Sequence, residues 1–223
     1  MRYVFISLLI LLMPSKILPQ ELSKVELDSL YNLFTFIKGV NASDKLQKQF
    51  QENPAITKCG MELVNILSQN LIHYSSEQLQ ILSKILERPQ SQTSTVSPGG
   101  FFRVHYDLTG NNVLGYDLNL LLQALDSAYN FEINFLGYPS PPSDGAEGGD
   151  DKYDIYVQNL AGLYGYTQFE IKVSESRWTS FMVIDNDYVG YYSTGINGAR
   201  VTVAHEFHHG IQGGNYAPTG SNS

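Results

Sequence analysis

The spacing of apolar residues changes character once along this 223-residue chain, and that change fixes what the chain can build. From 22 to 88, apolar positions recur near the helical period: Leu22, Val25, Leu30, Leu33, Phe34 and Ile37, then Leu63, Ile66, Leu67, Ile81, Leu82 and Ile85. Asn53-Pro54 predicts a break, and Ser75-Ser76-Glu77 a helix start. The stretch RPQSQTSTVSPGG at 88–100 has no hydrophobic period and predicts an exposed linker open to proteases. Beyond it, FFRVHYDL, KYDIYVQNL and RWTSFMVIDNDYV read as strands, the first two with an alternating character. A helical stripe (Leu118, Leu121, Leu122, Leu125, Ala128, Tyr129) lies between the first two, with Gly137 past its end. A last helix is expected from Ala199 to Gln212, stopped by Gly213-Gly214. The class is α+β.

The N-terminus predicts export. Arg2 precedes an apolar run from Tyr3 to Met13, ended by Pro14, which is too short to cross a bilayer but suits a secretory signal over 1–20. Nothing after it is long and apolar enough to span a membrane, so a secreted or cell-surface location follows. Fourteen Lys and Arg against 22 Asp and Glu give a net charge of −8, with no basic block, which argues against nucleic acid as a partner. The single cysteine, Cys59, excludes an intramolecular disulfide framework and fits bacterial export.

Chemistry concentrates in His205-Glu206-Phe207-His208-His209, which fits H-E-x-x-H. On a helix, His205 and His209 project from one face and can ligate one zinc ion. Glu206 falls about 100° further round, near the rim of that face, where it can take a proton from zinc-bound water as the general base of hydrolysis. His208 points elsewhere and is expected to support the site or to be exposed.

VAHEFHHGIQ resembles the active helix of secreted bacterial zincin metalloproteases, distantly like the immune-inhibitor-A and thermolysin groups. GGFFRVHYDLTGNN, DKYDIYVQNLAGLYGYT and SFMVIDNDYVG look like further segments of that kind, so the resemblance covers most of 99–223. It implies a zincin-like upper catalytic subdomain over 98–223, a twisted mixed sheet with a zinc helix, preceded by a helical pro-segment over 21–97. It also implies an edge strand that pairs with an extended peptide or protein substrate. His205 and His209 would be the ligands and Glu206 the base. Gln212 and Asn215 occupy the Gly and third-His positions of the metzincin pattern, so that branch is not expected. Gluzincin-like relatives take a Glu from a later helix, yet no Asp, Glu, His or Cys follows His209. The expectation is therefore a site lacking its third ligand in a chain truncated after the zinc helix, with the apolar underside of 199–212 left facing water. The activity implied is a zinc endopeptidase precursor; the alternative is an exported non-catalytic binding domain that keeps the zincin shell.

Two further features carry two readings each. Asp144, Glu147, Asp150, Asp151 and Asp154 gather among glycines, either as calcium ligands or as a solvated acidic loop, with Asp185 and Asp187 joining them or facing substrate. Cys59 is either an inhibitory pro-segment ligand to zinc or a small buried core residue. His105, Asp185 and Cys59 are the upstream candidates for a third ligand.

Overall fold

The computed structural model describes residues 22–40 and 59–217. The expected signal segment at 1–20 and the break at Asn53-Pro54 lie outside the described residues. Among the described residues three α-helices come first: α1 (Lys24–Ile37), α2 (Met61–Gln69) and α3 (Ser76–Leu86). Ser23 and Ser75 start α1 and α3 through capping boxes with Glu26 and Gln78, which satisfy the orphan amides of each first turn. Strands β1 (Thr93–Val96) and β2 (Phe102–Tyr106) follow, then α4 (Leu118–Tyr129), β3 (Tyr153–Gln158), β4 (Gly165–Ser174), β5 (Arg177–Asp185) and α5 (Gly195–Asn215).

The strands form one mixed sheet in the order β1-β2-β3-β5-β4. The inner pairs β2–β3 and β3–β5 are parallel, and the edge strands β1 and β4 pair antiparallel. Each sheet face has its own core. On one, Phe102, Val104, Ile155 and Met182 pack with Leu121 and Leu125 of α4 and with Val203, Phe207 and Ile211 of α5. On the other, Tyr156, Tyr166, Phe181 and Val183 pack with Phe34, Leu67 and Leu82 of the N-terminal helices. The helical segment is thus a full layer of the fold, joined to the sheet by an apolar core. Among the described residues no helix is long and apolar enough to cross a membrane.

Four expectations are corrected. The stretch read as a linker contains β1, whose Thr93–Val96 backbone pairs with Arg103–Tyr106; ladder bonds override its weak strand composition. A further strand, β4, was not anticipated at all. KYDIYVQNL does not alternate between core and water: Tyr153 to Val157 are all buried, because β3 is an inner strand covered on both faces. The last helix runs through Gly213-Gly214 to Asn215. Those glycines serve packing instead of termination, since a Cβ at Gly213 would stand 2.1 Å from the Phe169 ring. Nor does the apolar side of 199–212 face water: Val203, Phe207, Gly210 and Ile211 are buried, and the outer face presents Arg200, Val201, Ala204, His205 and Gln212.

Candidate metal and catalytic site

Helix α5 leans on β4 and β5, and this packing sorts the motif residues by depth. β4 passes close over the helix at Gly165, where a Cβ would stand 2.7 Å from Thr202 Cγ2 and 2.9 Å from the Val183 carbonyl oxygen. One turn further along α5, the Glu206 side chain points under the sheet and is fully buried. The rim position expected for Glu206 is therefore replaced by burial, because β4 roofs that side of the helix. The Thr167 hydroxyl lies 2.7 Å from the Glu206 carbonyl oxygen and 3.0 Å from Oε2. Oε1, equally buried, has no hydrogen-bond partner among the described residues. Burial pushes the Glu206 carboxyl up to about 7, against the opposing pull of the Thr167 hydroxyl and the Cys59 thiol.

On the adjoining face the two imidazoles meet as the four-residue spacing requires. His205 Nε2 and His209 Nε2 are 3.0 Å apart with the rings nearly perpendicular. The Gln212 amide oxygen lies 2.9 Å from His209 Nδ1. That oxygen only accepts, so Nδ1 carries the proton and Nε2 presents its lone pair, the tautomer a metal ligand needs. Burial, then the neighbouring His209 and His208, lower the pKa of His205.

Cys59 completes the group. Its sulfur lies 3.4 Å from His209 Nε2, and the ligand atoms of Cys59, His205 and His209 all fall within 4.8 Å of one another. The thiol is half-buried, and burial together with the Glu206 charge raises its pKa to about 11. Its position follows from its neighbour: the Gly60 amide donates to the Gly165 carbonyl oxygen at 2.9 Å, and a Cβ on Gly60 would sit 2.6 Å from Leu163 Cδ2. The chain just before α2 is thereby held on the outer edge of β4.

The other two upstream candidates lie in different settings. His105 Nε2 is 2.6 Å from Asp154 Oδ1, with its ring stacked on Tyr156. Asp185 accepts amides from Leu160, Asp187 and Tyr188 and so organises the loop after β5. Four of the five acidic residues weighed as calcium ligands, Asp144, Asp150, Asp151 and Asp154, face protein cations. Asp144 and Asp154 share Arg88 with Glu170, Asp150 pairs with Arg103, and Asp151 with Lys152. Asp187 accepts the Val189 amide. His208 is half-buried, 2.7 Å from the Glu132 carboxylate and edge-on to Tyr138, so it ties α5 to the segment after α4.

Sequence reasoning missed Thr167 and the orienting role of Gln212. Thr167 sits in the unanticipated strand, and Gln212 had signified only a departure from the metzincin pattern. Its place three residues past His209 on one helix was the available signal. No family model, curated protein or solved structure matches this chain.

Proposed function

We propose that this protein is a zinc-dependent hydrolase of peptide bonds, with a zincin-like arrangement of sheet and metal helix. The observation that carries the reading is Glu206: a fully buried carboxyl with one oxygen unpartnered, beside two imidazoles whose Nε2 atoms stand 3.0 Å apart. Buried polar atoms are nearly always satisfied, and exceptions concentrate where function needs them. The donor set fits zinc, being nitrogen and sulfur with an oriented imidazole.

His205 and His209 would hold the ion, which when bound supplies a Lewis acid and a lowered pKa for water. The residues of this chain do the rest. Gln212 fixes the tautomer of His209, while Thr167 anchors Oε2 of Glu206 and leaves Oε1 free to take a proton from the attacking water and return it to the leaving amine. A carboxyl near pH 7 in the metal-free site is poised for that exchange. As an edge strand of the sheet, β4 offers the ladder on which an extended peptide would align. Export remains part of this reading on the strength of the N-terminal sequence, and bacterial origin on that of the single cysteine.

The test is Glu206→Gln in the full chain. It should retain zinc and lose peptide hydrolysis by about 10²–10⁴-fold, as removal of a general base does. An active Glu206→Gln protein would overturn the assignment.

A further inference from the structure

Resting on that reading of the α5 site, we propose that Cys59 is the third protein ligand of the metal, so that the N-terminal helical layer closes the site with a Cys-His-His set. Zinc bonds of about 2.05 Å to nitrogen and 2.3 Å to sulfur, at tetrahedral angles, separate two nitrogens by about 3.3 Å and a sulfur from a nitrogen by about 3.6 Å. The corresponding separations here are 3.0 Å and 3.4 Å. Both are within a few tenths of an ångström of the geometry a shared ion imposes.

Three independent contacts hold the arrangement. Gln212 leaves the His209 lone pair facing the thiol. The Gly60 amide is bonded to Gly165, and that glycine is wedged against Leu163 and Tyr166 where no side chain fits. Behind Cys59, α2 is anchored by Val64 and Leu67 in the second core. Beside the thiol, the fully buried Oε1 of Glu206 has no hydrogen-bond partner among the described residues, a second sign of a ligand at this place. Ligation breaks the S–H bond and forms a sulfur–metal bond; the proton passes to bulk water and nothing is oxidised or reduced.

Closure has a second part. Cys59-Gly60 occupies an outward carbonyl of β4, the edge where an extended peptide would pair. Access to substrate then requires Cys59-Gly60 to release that carbonyl.

Cobalt(II) absorption of the full chain tests this without a substrate. The wild type should show a thiolate-to-cobalt charge-transfer band. Cys59→Ser should lose the band while still binding cobalt through His205 and His209, at least tenfold more weakly, the minimum expected when even an outer-shell partner is lost. Cys59→Ala, with a circular dichroism spectrum matched to wild type, should behave alike. A small peptide hydroxamate should perturb the cobalt bands of Cys59→Ser and leave the wild-type spectrum unchanged. Cobalt bound in wild type without a thiolate band, but lost in the His205→Ala/His209→Ala variant, would overturn the Cys59 ligand and leave the hydrolase reading standing. Failure of wild type and Cys59→Ser alike to bind cobalt would overturn both. A wild-type spectrum that responds to the hydroxamate as Cys59→Ser does would overturn closure.

Discussion

Asp154 and Glu206 are both fully buried carboxylates in one small fold, yet their surroundings are opposite. Asp154 is gripped by the Arg88 guanidinium on one oxygen and by His105 on the other. Glu206 has the Thr167 hydroxyl on one oxygen and the pull of the neutral Cys59 thiol, with no hydrogen-bond partner for Oε1 among the described residues. Burying an ion is costly unless it is paired, so the fold has compensated the first charge and left the second exposed to that cost. Compensation makes Asp154 a strut between the helical layer and the sheet; its lack at Glu206 is what supports the catalytic role proposed above. The imidazoles follow the same division, His105 facing a carboxylate and His209 a neutral amide.

The sharpest way to break this comparison is to remove the compensation. Arg88→Met should destabilise the protein by about 3–5 kcal/mol, since it strands Asp154 inside the sheet. A urea midpoint close to wild type would show that Asp154 does not depend on Arg88.

The converse holds at Glu206. In the metal-free protein its carboxyl rises from an ordinary 4.5 to about 7. A folded pKa above the unfolded one means stability is fullest below about 4.5 and falls as pH rises to about 7. At about 1.4 kcal/mol per pKa unit, the loss is on the order of 3 kcal/mol. Glu206→Gln lacks that slope, so it should exceed wild type in stability at pH 8 and lose the advantage by pH 4. Parallel stability curves for the two proteins would refute the uncompensated burial.

Smaller changes sharpen the contrast. Gln212→Leu frees the His209 tautomer and should weaken metal binding by about 10–100-fold, measured by competition with a chromogenic chelator. Thr167→Val should cost about 1 kcal/mol through the lost hydroxyl bond and move the Glu206 titration upward, because that hydroxyl opposes the rise. A titration midpoint that stays put would assign the shift to other groups.

By itself the sequence determined the α+β class, the helix start at Ser75, the α4 stripe and the pairing of His205 with His209. All of these depend on neighbours within one or two helical turns, where backbone geometry fixes who meets whom. Tertiary structure decided the rest. The edge strand β1 lacks strong alternation and exists because a partner strand completes its hydrogen bonds, whereas β4 does alternate over Phe169-Glu170-Ile171-Lys172-Val173-Ser174, a local signal that went unread. Glu206 is buried because a glycine lets β4 pass over it. Cys59 meets His209 across 150 positions because Gly60 fits against Leu163. Contacts between residues so far apart depend on how two sheet faces are covered, and no local period records that.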